Sequence, residues 1–173
     1  MDDVEASLVL RLPQREVYES LFEFTRYDRY SDHLEEARVR GEGVGSRFAL
    51  TFSWWRLTYT LRGRVTEVEP PERIEWSVTK DVDARGHWAI EPAPEEAPAD
   101  CETATRARLY AEFDRSSVRS GALDTVAPTG WVLSKVMPLV EPEAERAARR
   151  AVADLEGEPR SVDVEVHSRP DTI

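Results

Sequence analysis

A chain of 173 residues, 40% of them hydrophobic and with a formal net charge of -11, has the size of a single domain able to bury roughly two-thirds of its unfolded surface. That much negative charge sets it against nucleic acid and anionic membrane, both of which would repel it. No apolar run approaches the roughly 20 residues that span a bilayer, and the acidic start MDDVEASLVLRL lacks the basic and long apolar regions of a secretory signal, which predicts a cytoplasmic protein.

In chain order, VEASLVLRL (4–12) alternates as a first strand, and Pro13 ends it and suits the first turn of a helix. The spacing of Val17, Leu21 and Phe24, with Tyr18 and Phe22 beside them, predicts that helix, and YDRYSDHL predicts a second short helix or turn. A run of strands follows, from EEARVRGEG through SRFALTFSWW, RLTYTLRGRVTEV and RIEWSV, punctuated by Gly41, Gly43, Gly45, Pro70 and Pro71.

Alternation puts Phe48, Leu50, Phe52 and Trp54 on one face, with Leu57, Tyr59, Leu61 and Val65 and then Ile74, Trp76 and Val78 continuing it. Arginine, threonine and glutamate hold the other face, so the sheet should be antiparallel with one apolar and one wet side. The EPPER turn should join neighbouring strands, because proline cannot donate to a ladder but serves where the chain reverses. GHWAIEPA and TATRARLYAEFD complete the strands, the latter with Ala107, Leu109, Ala111 and Phe113 inward, and PAPEEAPAD between them is a loop.

From about Thr129 to Glu156, Val132, Val136, Val140, Ala144, Ala148, Ala151 and Leu155 draw a helical stripe. This predicts a long helix that Pro138 and Pro142 should kink or divide; the alternative is a helix that starts only near Pro142, with GWVLSKVMPL as a separate lid or shorter helix. The tail SVDVEVHS alternates like an added strand.

The order strand, two short helices, antiparallel strands, long helix, together with GEGVGSRF (41–48) and VTEVEPPERIEWSV (65–78), resembles the START-like, or SRPBCC, superfamily in its polyketide cyclase/dehydrase and lipid-transport branch. The resemblance covers about residues 4–157. It implies an α+β helix-grip (Bet v 1-like) fold, a curved antiparallel sheet around the C-terminal helix with a cavity between them. Residues 1–157 would form that domain and 158–173 a C-terminal tail.

The function so implied is binding of a small hydrophobic molecule, a lipid, isoprenoid or polyketide-like ligand. The alternatives are a cyclase or dehydratase type of enzyme, or a protein-interaction module with a vestigial pocket. Expected pocket residues are Phe48, Leu50, Phe52, Tyr59, Leu61, Trp76, Trp88, Leu109, Trp131, Val132 and Val136, although any single aromatic among them more often fills core than lines a cavity. For proton transfer the candidates are Tyr59, whose hydroxyl projects from an apolar face, and His33 beside Tyr30 and Asp32. Asp and His one residue apart seldom meet, and an ordinary surface or cap histidine is the competing reading.

His87 should point outward if Trp88 and Ile90 point in, and His167 lies beyond the family fold. Metal, nucleotide and dinucleotide fingerprints are missing from the sequence, so no metal or cofactor is expected. Cys101 admits no intramolecular disulfide, and its acidic, proline-rich neighbours disfavour a thiolate. Basic residues other than Lys80 and Lys135 are arginine, a pattern resembling the acidic proteins of salt-loving archaea, with an acidic protein from a GC-rich genome as the alternative. The sequence leaves oligomeric state and ligand identity open.

Overall fold

The computed structural model describes residues 2–54, 57–80, 82–99, 103–114, 129–160, 162 and 164–168; the side chains of Asp2, Trp54, Leu57, 129–141 and 165–168 lie outside that description. Strand β1 (Asp2–Leu10) leads through Pro13 into helix α1 (Gln14–Phe22) and a 3-10 segment (Phe24–Arg29). There follow β2 (Leu34–Arg40), β3 (Arg47–Trp54), β4 (Leu57–Glu69), β5 (Arg73–Val78), β6 (Asp83–Pro92) and β7 (Thr105–Asp114), then helix α2 (Thr129–Glu156) and β8 (Glu165–Ser168). The described strands form an eight-stranded sheet in the order β2-β3-β4-β5-β6-β7-β1-β8, with every pairing antiparallel. This is the helix-grip architecture.

Local chemistry explains the corners. Gly41, Gly43 and Gly45 all adopt positive φ, a region closed to most side chains, and the Gly45 N–H donates to the Val65 carbonyl while Val65 N–H donates to Ser46. The Gly-rich turn is thereby fastened to β4. A few residues further on, where β4 ends, the EPPER turn reverses the chain between β4 and β5. Its Glu72 N–H donates to the Glu69 carbonyl, and its Glu72 carbonyl accepts from Ile90 N–H at 2.8 Å, so the turn is also tied to β6. Helix α1 is positioned by its first residue, Gln14, whose amide donates to the Ile90 carbonyl at 2.9 Å.

Helix α2 has the bounds that its apolar stripe predicts, but not the division that its prolines suggest. It runs unbroken from Thr129 to Glu156 with Pro138 and Pro142 inside it, rather than dividing or starting near Pro142. The four-residue spacing explains how: the donor missing at Pro142 falls on the Pro138 carbonyl and that missing at Pro138 on the Ser134 carbonyl, so the two lost bonds lie one turn apart along one side. A helix this long tolerates the loss when its other face is buried. Ala148 and Val152 of α2 belong to the same core cluster as Val17 of α1 and Leu10, Val65, Ile74, Ile90 and Ala107 of the sheet.

After α2 the chain turns at Gly157 and returns along β1, where β8 pairs. Arg160 fastens this return: its guanidinium donates to both Glu156 carboxylate oxygens, at 2.8 and 2.9 Å, and to the Val9 carbonyl at 2.9 Å. Glu156 also accepts from the Arg11 backbone N–H. Burial pushes the Glu156 carboxyl up, but Arg160 and the Arg11 N–H outweigh it and hold it below the usual glutamate range.

Two measurements check this core. Replacing Ile74, which is 0% exposed, by Ala should cost about 3 kcal/mol in urea unfolding, whereas Val44→Ala, at a position 57% exposed, should stay within about 0.5 kcal/mol. A carboxyl lowered in the folded state stabilises above its unfolded value, near about 4.3, and that contribution is lost as pH falls through the lower folded value. Glu156→Gln should therefore flatten the acid limb of the stability profile below about pH 4.3; an unchanged limb would show that the Arg160 clamp does not couple to folding.

Candidate functional site

Register decides which side chains meet. Tyr59 stands opposite Phe52 and Leu61 opposite Leu50; Trp76 stands opposite Val65 on one side and Gly86 on the other; Leu109 stands between Trp88 and Ala6. Since directly opposed residues share a face, these belong to one continuous concave surface. The bulge between Val65 and Glu67 changes the parity of β4, so that Val68, opposite Ile74, continues the apolar face past it.

This surface has two different ends. Phe48, Leu50, Val65, Ile74, Ile90 and Ala107 are buried beneath α1 and the 3-10 segment, where rings pack in sequence: Tyr18 on Phe22 (5.9 Å between centroids), Phe22 on Phe24 (6.1 Å), and Phe24 on Tyr27 (5.3 Å) and Phe48 (5.0 Å). Phe52, Tyr59, Leu61, Trp76, Leu109 and Phe113, by contrast, are only half-buried. Of the residues expected to line a pocket, Phe48 and Leu50 thus sit in the sealed core. Phe52, Tyr59, Leu61, Trp76 and Leu109 lie on the half-buried part. Trp88, also half-buried, joins the two, because its indole N–H donates to the Tyr27 hydroxyl, which in turn donates to the Leu21 carbonyl. Burial raises the Tyr27 phenol far above its ordinary value. Trp131, Val132 and Val136 fall on α2 where the side chains are not described, and Cys101 and the His167 side chain likewise lie outside the description.

Two strand glycines shape this face. A β-carbon on Gly86 would come within 2.5 Å of Trp76 Cζ2 and 2.8 Å of Cη2, and would also strike the Tyr110 carbonyl. A β-carbon on Gly63 would lie 2.7 Å from Phe48 Cε2 and 2.8 Å from the Ser77 carbonyl. Each ring therefore occupies the space that a side chain would take on the neighbouring strand. Glycine inside a strand is the sequence signal for such close approach. It marks Gly63 and Gly86 as site-shaping residues beyond the aromatic set.

The segment Tyr30–Ser31–Asp32–His33 makes a second polar arrangement, against α2. Tyr30 donates to Asp154 Oδ2 at 2.7 Å and is pushed up to about 12 by burial and by that carboxylate. Ser31 donates to Glu143 Oε1 at 2.7 Å, Asp32 accepts two bonds from Arg150 at 3.0 and 2.9 Å, and His33 Nε2 stands 3.7 Å from Glu143 Oε2. Arg150 holds the Asp32 carboxyl below its ordinary range. Thus Asp32 is engaged by Arg150, and His33 meets a carboxylate from α2. Four consecutive residues clamp one face of the helix, at 143, 150 and 154, where helical spacing aligns them. His87 projects from the opposite, convex face, its ring 5.3 Å from that of Tyr110, and burial and Arg73 lower its pKa.

Glu143, whose side chain is 13% exposed, is the shared partner of Ser31, His33 and Arg146. Glu143→Ala should cost about 1 to 2 kcal/mol, and a double-mutant cycle with Ser31→Ala should give a coupling above about 0.5 kcal/mol. Strict additivity would mean that the clamp contributes nothing to the folded state.

The sequence profile of the polyketide cyclase / dehydrase and lipid transport family matches residues 1–156. No curated protein matches the sequence significantly. Among solved structures, the chain is similar to the protein TTHA0849 from Thermus thermophilus (17% identity, 90% of this chain and 97% of that one, TM-score 0.66). It is similar also to a START superfamily protein from Mycobacterium smegmatis (10% identity, 91% and 99%, TM-score 0.63). A third likeness is to the Zhui aromatase/cyclase from a Streptomyces species (20% identity, 90% and 91%, TM-score 0.58). At these identities the structural likeness is one of fold, while the profile match spans nearly the whole chain. The chain belongs to the polyketide cyclase / dehydrase and lipid transport family.

Proposed function

We propose that this protein binds a small hydrophobic molecule between the half-buried part of its concave sheet face and helix α2, within a binding unit of residues 1–157 to which the tail is an added fastening. The observation that carries this reading is the unequal burial of one apolar face. Ile74 is 0% exposed and Val65 and Ile90 are 1% exposed, yet Tyr59, Leu61, Trp76 and Leu109 on the same sheet are only half-buried. A face that served folding alone would bury its largest side chains most completely, because burial contributes roughly 25 cal/mol for each square ångström of apolar surface. Leaving an indole and a phenol partly uncovered fits a surface completed by a ligand.

The cyclase or dehydratase reading draws support from family membership and would place proton transfer on Tyr59. It receives no help from a Tyr30–Asp32–His33 relay, since each of those three residues engages α2. Binding without turnover is the reading we adopt.

Titration with a solvatochromic dye, backed by native mass spectrometry of the extracted protein, tests the proposal. The full chain should take up dye saturably. Leu61→Glu should weaken uptake at least about tenfold, since an unpaired carboxylate would be buried on the binding face at a cost of several kcal/mol. Thr58→Glu, on the convex face three residues earlier, should leave it unchanged. Absence of saturable uptake, or equal loss in both variants, would sink the reading.

A further inference from the structure

We infer that the convex face of strands β2, β3 and β4 is a docking surface for a short acidic segment of another protein, whose carboxylates are received by a lattice of arginines. The inference concerns the face turned away from the proposed pocket and does not rest on it.

Register builds the lattice. Arg40, Arg47 and Arg64 stand directly opposite one another across the three strands, and two residues along each strand Arg38, Ala49 and Arg62 do the same. Both rows alternate with Phe48 and Leu50, which are buried on the concave side, so they share the convex one. Five of the six positions are arginine, and all five are exposed. The sixth, Ala49, puts only a methyl group between Arg38 and Arg62.

This arrangement breaks the pattern kept by the rest of the face. Arg73, Arg85 and Arg108 pair there with Glu75, Glu112 and Glu5, and the chain holds 34 acidic residues against 23 basic ones, so partners for an arginine are plentiful. Like charges directly opposite one another destabilise a sheet, yet Arg47 has an arginine on both sides. Among the described residues only Arg38 of the five has an ion-pair partner, Glu36 on its own strand. The next carboxylate along the chain, Glu42, lies past the end of β2. A local rule broken without compensation inside the fold points to a role outside it, and an incoming carboxylate would supply the missing charge.

Scale selects the partner. The lattice covers two strand intervals, about 10 Å, by one two-residue step, about 7 Å. A duplex or an anionic bilayer carries its charge far past such an area, where it would meet a protein whose net charge is -11. A peptide of a few residues can confine its charge to the lattice. In an extended peptide, side chains on one face repeat about every 7 Å, the step that separates Arg38 from Arg40 and Arg62 from Arg64. Each guanidinium fork can then take one carboxylate through two parallel bonds.

Fluorescence anisotropy of labelled peptides on the full chain tests this at about 0.05 M salt, where screening is weak. The probes are an alternating Glu-Ser octapeptide, its Gln-Ser counterpart, and a peptide of the first composition with its glutamates in one block. The alternating acidic peptide should bind saturably, at least about tenfold more tightly than the glutamine peptide and about threefold more tightly than the blocked one. Arg47→Gln with Arg64→Gln should weaken it at least about tenfold. Arg15→Gln with Arg149→Gln, exposed arginines on α1 and α2, makes the same change in net charge and should stay within about twofold. Relief of repulsion should leave the urea midpoint of the Arg47/Arg64 variant unchanged or raised, which separates lost binding from lost folding. Absence of saturable binding, or equal loss in the two double variants, would overturn the docking surface. Tighter binding of an oligonucleotide or of vesicles containing phosphatidylserine would overturn the peptide as its occupant, and self-association abolished by the Arg47/Arg64 change would replace the separate protein with a second copy of this chain. Dye uptake should be the same in all variants, so its absence would count against the pocket and leave this inference standing.

Discussion

The structure depends on one geometric constraint: side chains of a strand alternate, and the sheet must deliver the core residues of each strand from β1 to β7 to the same side. A slip of one residue anywhere would send a strand's whole apolar set to water. Trp76 illustrates the dependence, since it must oppose Val65 and Gly86 together. Shifted by one, it would lose the glycine that admits its ring, and Ser77 would take its place. The bulge at β4 serves the same end. By absorbing one residue it places Val68 against Ile74 as well as Val65 against Trp76, and it adds local twist to a sheet that must curve around α2.

With that surface in place, its two ends are distinguished by what covers them. The α1 end is closed by rings stacked from Tyr18 to Phe48 and by a hydrogen-bonded chain from Trp88 through Tyr27 to Leu21. These groups leave no polar atom of Tyr27 unsatisfied, which is what makes a buried phenol tolerable. The far end carries large side chains with less cover. Helix α2 is held by polar contacts on two sides of its C-terminal half, the clamp of residues 30–33 and the Glu156–Arg160 pair. The Ser31–Glu143 and Glu156–Arg160 bonds are partly buried, while those of Tyr30 and Asp32 are exposed; both sets act as locators for the helix more than as sources of stability.

Much of this was readable from period and punctuation. Alternation alone put Trp76 and Leu109 on one face, and the prolines of EPPER marked the reversal between β4 and β5, because both are local consequences of strand geometry. The three features that escaped are nonlocal or depend on context. The partners of Tyr30, Ser31 and Asp32 lie 124, 112 and 118 residues away, beyond any windowed pattern, although Glu143, Arg150 and Asp154 do form a polar stripe at helical spacing. Helix α2 passes through Pro138 and Pro142 because the intrinsic cost of proline is a local quantity, whereas burial of Ala148 and Val152 acts on the helix as a whole. Gly63 and Gly86 were legible as strand glycines, but only the register reveals which ring each one admits.

The convex face shows how the same register is specified twice. Arg85 is directly opposite Glu112 and bonded to it, Arg106 is opposite Glu91, and Arg108 reaches Glu5 across β1 at 3.3 Å. Exposed pairs of this kind contribute little individually, about 0 to 1 kcal/mol. Their alternatives matter more, for a one-residue slip would bring Arg85 against Phe113 or Ala111 and Glu112 against Gly86 or Ala84, stranding both charges. Where like charges do meet, as at Glu67 opposite Glu75, Arg73 holds Glu75 ionised and the pair shifts its proton toward Glu67, whose pKa rises. That meeting falls at the bulge, where packing of Val65 and Val68 on the other side of the strand overrides the charge pattern. The apolar face therefore decides the register and the ionic face discriminates against its neighbours, which lets an acidic protein keep the middle of its concave surface free of charge.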